Sequence, residues 1–475
     1  MPKNQFTSIC HLLFAVLALS LTACSTTAHY PINPAQNGAD KKTEYRFENL
    51  GGGNSSDHLA MTLFFSGGGT RAAALSHGVL EELAEMRVRW DGRERILLDE
   101  IDVISSVSGG SITAAHYGLK QRQHFAEFPD KFLYKDYQNS IKDKIFSLEI
   151  LTQLWSPTYG RIEIVANKFD QSLFHGATFG DLARQGKRPY LVLNSTDMSS
   201  GARFAFTQEQ FDLICADLSA IPLARAVAAS AAVPVVFSPL TLKNYTSTCN
   251  NDTKQELNRD WSKLPPRQQL RLRELRSYLD EQRRPYLHLV DGGLVDNIGI
   301  GGSLDHAMFS GSAANLAQIL GFDNLRKAVF VIVSAETDPS LEADLSPSVP
   351  SMRRVAMALA DIPINRNTRE SLIQFRETVS QWKLALKQKF GNDTEFYVIE
   401  VSLRDIADPV ERELFMAIPT TLSLPKDNVD RLRQLGRKML RESPEMQRLL
   451  RDMAAEPHAL DTKMDARLPI LKQKR

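Results

Sequence analysis

The stretch Asp102-Val-Ile-Ser-Ser-Val-Ser-Gly-Gly-Ser111 constrains the fold more than any other part of the chain. Ile101, Val103 and Ile104 read as a strand, Ser106 to Gly110 as a tight turn, and Ser111 to Leu119 as the start of a helix. A serine at such a turn projects its hydroxyl outward, and small neighbours let substrate and backbone approach it closely. The pattern is G-x-S-x-G with Ser106 in place of the first glycine, centred on Ser108 and followed by Gly109 and Gly110. Alone, a Ser-Gly-Gly turn is more often a plain loop than a nucleophile. The rest of the chain has to decide.

Residues 59–65 form an earlier β-rich run, followed by Ser66-Gly-Gly-Gly-Thr-Arg71 and a helical stretch to Leu83. Strand, glycine loop and helix aim successive N–H groups at one point, where they can hold an anion. A phosphate-binding loop would need a later Gly-Lys-Ser/Thr, and a dinucleotide loop would need G-x-G-x-x-G; neither is present. An oxyanion hole fits better, its donors stabilising the negative oxygen of a tetrahedral acyl intermediate. Arg71 either pins the loop, attracts an anionic head group or is a solvated first-turn cation. Gly51-Gly-Gly53 follows no strand and receives no chemistry. Two βα units in succession, each ending its strand in a glycine-rich turn, predict a parallel sheet with both turns at its carboxyl edge.

A third turn of the same type follows much later. Tyr286-Leu-His-Leu-Val290 runs as a strand into Asp291-Gly-Gly-Leu-Val-Asp-Asn297 and sets a carboxylate at a strand end. An Asp beside Gly-Gly is commonly a turn former. Together, however, an anion hole, a hydroxyl and a carboxylate at strand ends are the parts of acyl transfer.

Gly67-Gly-Gly-Thr-Arg71, Ser106-Val-Ser-Gly-Gly110, Ala228-Ala-Ser-Ala-Ala-Val-Pro234 and Asp291-Gly-Gly293 follow one another in the order of the patatin-like phospholipases, which the chain resembles over roughly residues 60–312. The resemblance implies a three-layer α/β/α fold with a mainly parallel sheet. It also implies a Ser108–Asp291 dyad without histidine, an oxyanion hole from Gly67, Gly68, Gly69, Thr70 and Arg71, and an elbow of Ser106, Gly109 and Gly110. Its substrates would be phospholipids or lysophospholipids, with no cofactor and no metal. Ser106 departs from the family's usual glycine. A histidine triad is the competing arrangement. His77, His116 and His288 sit in the glycine-loop helix, the elbow helix and the strand before Asp291, where packing explains them. His306 alone of these follows Asp291, giving the Ser–Asp–His order.

The N-terminus reads as a targeting segment, with Lys3, an apolar run from Leu12 to Leu21, and Leu21-Thr-Ala-Cys24. That ending resembles the lipobox of bacterial lipoproteins, which implies acylation of Cys24 and, with Ser25 rather than Asp next, the outer membrane. An ordinary cleaved signal is the alternative. Several acyl chains, at ~0.8 kcal/mol per buried CH₂, would hold the protein to the membrane, facing the periplasm or the exterior. Lys and Arg total 57 against 56 Asp and Glu, so no net field attracts nucleic acid. Cys215 and Cys249 remain after export and are either bridged or two separate thiols; a bridge would contribute roughly 3–4 kcal/mol in the chain-entropy model.

The expected domains are a signal peptide over residues 1–23, a lipidated flexible tether over 24–57, the acyl hydrolase domain over 58–312 with a surface insertion at 241–285, and a C-terminal α/β extension over 313–475. Within these, Phe125, Phe128, Phe132, Tyr134, Tyr137, Phe146, Trp155 and Tyr159 mark either a helical layer over the sheet or a lipid-facing lid. Residues 202–207 predict a hairpin partner for the strand at 189–194, and Val235 to Phe237 the start of a new strand. A helix is expected near Leu316, strands at 328–333 and 395–401, and amphipathic helices from Asp427 onward. Three function classes stay open: a lipid acyl hydrolase, a catalytically silent lipid-binding or membrane-assembly module, and an esterase or thioesterase on other substrates.

Overall fold

The computed structural model describes residues 33–36, 38, 41–51, 56–145, 147, 159–249, 252–258, 260–303, 305, 325–337, 344–390 and 394–455. The predicted signal segment, Cys24, Phe146, Trp155, His306 and the helix near Leu316 lie outside these residues.

The architecture is built on a mostly parallel sheet between helical layers. Strand β1 (Leu59–Phe65) enters helix α1 (Gly69–Glu85), a small hairpin β2 (Arg87–Trp90) and β3 (Arg93–Ile96) follows, and β4 (Ile101–Val107) enters α2 (Gly109–Lys120). Next come β5 (Tyr190–Asp197), β6 (Arg203–Phe206), α3 (Leu223–Ser230), β7 (Leu240–Lys243) and β8 (Tyr286–Asp291), which leads into the single turn α4 (Gly293–Asp296). The last elements are β9 (Lys327–Ser334), α5 (Met352–Phe390), β10 (Glu395–Ser402), α6 (Lys426–Glu442) and α7 (Pro444–Ala454). The strand order is β10-β9-β1-β4-β5-β8-β7, with β6 paired to β5. β1 is apolar but for Thr62, β4 adds Asp102, Ser105 and Ser106 to its apolar residues, and both strands are buried on both faces, as at the centre of a helix-covered sheet.

β10, β9, β1, β4 and β5 run parallel, so the C-terminal strands extend the same sheet. β8 does not. It runs antiparallel to β5, pairing Asp291 with Ser195, while Val107 at the end of β4 pairs with Asn194. The third turn therefore arrives from the opposite direction, and the two turns expected at the carboxyl edge, after β1 and β4, are met there by one antiparallel strand. β5 outruns β4, and that overhang gives β8 its backbone partners.

Three further expectations change. Val235 to Phe237 forms a turn, not a strand, with Val235 at φ 72°. The insertion expected to begin at residue 241 begins after β7, because Leu240 and Leu242 face the core and β7 pairs with β8. Nor is the described part of the expected tether loose. Tyr45, Phe47 and Leu50 are buried, Tyr45 stacks on Tyr190, and its hydroxyl accepts the Leu191 N–H at 2.8 Å. Three large apolar side chains in a polar segment are enough to seat it. Phe128, Phe132, Tyr137 and Tyr159 are buried in the helical layer rather than presented to lipid. Cys215 and Cys249 form a disulfide, with Cα atoms 5.9 Å apart.

Candidate active site

β4 delivers Ser108 at its end. The residue holds φ 50° and ψ −119° just ahead of α2, a backbone conformation that costs a non-glycine residue on the order of 1–3 kcal/mol and persists only where its surroundings enforce it. The surroundings here are hydroxyls. The Ser108 N–H donates to Ser230 Oγ at 2.9 Å, and Ser230 Oγ donates to the Asn194 carbonyl at 2.6 Å. Ser111 Oγ lies 2.9 Å from Ser230 Oγ and donates to Ser106 Oγ at 3.1 Å. Asn194 Nδ2 donates to Ser105 Oγ and to the Ser106 carbonyl. The residue that departs from the family's glycine thus becomes a member of a buried network, and α3 contributes to it through the one hydroxyl among its alanines.

β1 delivers the glycine loop beside it. A Cβ built on Gly67 would lie 3.3 Å from Ser108 Cβ and 2.5 Å from Asn297 Oδ1, so no side chain fits there. Gly68 sits at φ 138°, a region closed to other residues. Two of the loop's N–H groups are engaged: Gly67 donates to the Asn297 carbonyl at 3.0 Å and Thr70 to the Thr421 carbonyl at 2.8 Å. Those of Gly68 and Gly69 have no partner among the described residues. Arg71 is buried and pins the loop, donating through Nε to the Ala335 carbonyl at 2.9 Å and through Nη1 to the Ile418 carbonyl at 2.5 Å.

β8 delivers Asp291. Its carboxylate accepts the Gly293 N–H at 2.7 Å and lies beside the Ser108 hydroxyl. Burial pushes its pKa up to about 6, and these two donors pull the other way. Ser108 and Asp291 are only 7% and 4% exposed, so the two groups face each other with little competition from water. The next turn is locked by Asp296, whose carboxylate accepts the N–H groups of Gly299, Ile300 and Gly301. A cavity of about 540 Å³ lined by Lys131, Lys135, Tyr137 and Lys168 lies elsewhere and includes neither Ser108 nor Asp291.

The histidines have other work. His116 Nδ1 lies 2.9 Å from His124 Nδ1, His124 Nε2 lies 2.9 Å from His77 Nδ1, and His77 Nε2 faces Glu81 at 3.4 Å. Glu81 is held ionised, down to about 2, because hydrogen bonds from His77 and Arg433 outweigh the opposing effect of its burial. A neutral imidazole has one donor and one acceptor nitrogen, so His124 donates to one of its two histidine neighbours and accepts from the other. His288 contacts Thr241 Oγ1 at 3.1 Å. Among the described residues no group of His, Cys, Asp and Glu is placed to hold a metal ion.

Ser230, Asn194, Asn297 and the segment from Ile418 to Thr421 were not assigned roles from sequence. Ser230 stands as a lone polar residue among alanines, which is a signal in sequence, whereas Asn297 beside Asp296 offers none. Ile418 and Thr421 act through backbone carbonyls, which carry no signal in sequence.

A family model described as patatin-like phospholipase matches residues 63–303. No curated protein matches the chain. Among solved structures, human GIVD cytosolic phospholipase A2 aligns at 11% identity with a TM-score of 0.43, covering 84% of this chain and 62% of that one. The same enzyme in complex with methyl gamma-linolenyl fluorophosphonate aligns at 12% identity and TM-score 0.38, covering 84% and 59%. The chain thus spans less than two thirds of the length of these neighbours.

Proposed function

Since the chain belongs to the patatin-like phospholipase family, we propose that it is a lipid acyl hydrolase of the phospholipase A or lysophospholipase type, working through a Ser108–Asp291 dyad. The observation that carries this reading is the Ser108 hydroxyl beside a buried carboxylate, next to two loop N–H groups without partners among the described residues. Asp291 takes the Ser108 proton as the oxygen attacks the ester carbonyl carbon. The Gly68 and Gly69 N–H groups receive the oxyanion, and collapse of the tetrahedral intermediate expels the alcohol, which takes the proton back from Asp291. Water then attacks the acyl-enzyme by the same route and releases the fatty acid. A carboxylate with a pKa near 6 suits both halves of this cycle, since it is ionised at neutral pH yet basic enough to hold a proton briefly.

The Leu21 to Cys24 motif supports a lipid anchor on Cys24 and residence at the outer membrane, which would set the enzyme beside its substrates. Palmitate labelling that disappears in Cys24→Ser is the expected result.

The activity is tested by fatty-acid release from mixed phospholipid and lysophospholipid vesicles. Ser108→Ala and Asp291→Asn should each remove activity by ~10³-fold or more in a folded protein, and His306→Ala should retain it. Loss in His306→Ala would replace the dyad by a triad. A wild type active only on short-chain esters or thioesters would change the substrate class, and one inert on every ester would leave a lipid-binding module.

A further inference from the structure

Helix α5 is two helices in its chemistry, divided at Pro363. Behind the proline one face belongs to the core, and the apolar residues off that face, Ile373 and Leu384, stand apart from each other. Phe375, Val379 and Trp382 are buried at a spacing that keeps them on one face, and Phe375 meets Phe64 and Phe330 with ring centroids 5.6 and 5.2 Å apart. Ahead of the proline the apolar residues face outward. Met352, Val355, Leu359 and Ile362 recur at the three- and four-residue spacing of a single helical face and are 83%, 44%, 70% and 61% exposed. Leu345 and Val349, in the segment leading into the helix, are 85% and 93% exposed. Isolated exposed apolar residues need no explanation, but a continuous stripe does.

Two observations say what the stripe meets. The first is its place. Just past the proline, Asn367 Nδ2 donates to the Leu294 carbonyl at 3.2 Å, which ties α5 to the turn that follows Asp291. At a rise of about 1.5 Å per residue, Leu359 lies roughly 12 Å along the helix from that tie. The second is charge. Ahead of the proline the helix carries Arg353 and Arg354 against Asp361 alone. An apolar face with basic residues among its polar ones is the pattern of a helix lying in the plane of an anionic lipid interface, and no helix among the described residues is long and apolar enough to cross a membrane instead.

We propose that the half of α5 ahead of Pro363 seats the protein on an anionic phospholipid surface, next to the catalytic turn. The inference rests on the acyl hydrolase reading, since it places the site where lipid esters are. The experiment separates the two. In the full chain, Leu359→Trp and, as a control at a residue 65% exposed on the half behind the proline, Leu384→Trp are titrated with vesicles of phosphatidylglycerol and phosphatidylethanolamine, with and without brominated acyl chains. Emission from the Leu359→Trp variant should shift to shorter wavelength and be quenched by the brominated lipid, and emission from Leu384→Trp should do neither. The double variant Leu359→Asp/Ile362→Asp should cleave vesicle phospholipid at least 5-fold more slowly, with turnover of a soluble short-chain ester unchanged.

A Leu359→Trp signal that ignores vesicles overturns the inference, whether or not the wild type is active. A shift that follows protein concentration without lipid also overturns it and assigns the face to a second copy; one present at every dilution without lipid assigns it to another part of this chain. If the indole introduced at position 359 enters the bilayer while the wild type cleaves no ester, the surface stands and the hydrolase reading falls.

Discussion

The two turns that close on the candidate nucleophile are built alike and held differently. Both empty a parallel strand into a helix, β1 through the glycine loop and β4 through Ser108. The turn at Ser108 is held mainly by side-chain hydroxyls and the Asn194 amide around it. The glycine loop has no side chains until Thr70, and its braces are the carbonyls of Asn297, Ala335, Ile418 and Thr421. A loop that keeps N–H groups available for a ligand has to be fixed by something else, and here most of that work falls to the far end of the chain. α6 adds to it by packing on α1, where Gly436 approaches the Leu75 carbonyl and Arg433 pairs with Glu81 at 2.6 Å.

The contrast predicts a graded set of losses. Largest should be Gly69→Ala, whose methyl would meet the Thr421 carbonyl and displace the loop. A kcat about 10²–10³ lower is expected on a soluble ester, the effect of losing one oxyanion donor. A change below threefold would mean that the C-terminal brace does not set the loop.

Arg71→Met leaves the Ala335 and Ile418 carbonyls without their guanidinium donor, and thermal or denaturant unfolding should show a loss of about 2–3 kcal/mol. Full stability in this variant would shift the bracing to Thr421 and Asn297. For the other turn, Ser230→Ala removes the acceptor of the Ser108 N–H, and kcat should drop about 10–100-fold with KM little altered. If KM rises instead, Ser230 acts on substrate binding and not on the elbow.

Acid tests the dyad and then the link between the helices. With Asp291 near 6, protonation disables the base, so kcat/KM should be level above about pH 7 and fall about tenfold per unit well below 6. The smallest effect concerns the imidazole chain joining α1 to α2. Burial holds His77, His116 and His124 below the ordinary value of 6.5, His116 at about 3. The unfolded chain therefore takes up the protons, and stability falls as the pH drops through 6.5, by about 0.7 kcal/mol for His116 between pH 7 and 6, with His77 and His124 acting in the same direction. His124→Asn should flatten that slope, and an unchanged slope would place its origin elsewhere.

Much of the fold and part of the site could be read before any coordinates. A run of buried β-formers ending in glycine or serine-glycine and followed by a helical pattern is a local signal, and it located β1, β4 and their turns. Composition cannot reveal direction, so the antiparallel course of β8 was missed: the run from Tyr286 to Asp291 has the same apolar character whichever way its neighbour points. The same holds for residues 41–51, where Tyr45 and Phe47 look like stray aromatics in a polar segment until Tyr190 is set against them.

What the sequence determined alone, then, is which chemical groups stand at strand ends, because strand, turn and helix preferences act over a few residues. The tertiary structure decided how those groups meet. Ser108 and Asp291 come together through the overhang of β5, and the glycine loop is braced from residue 421. Both depend on contacts between residues far apart in the chain, which local preference does not encode.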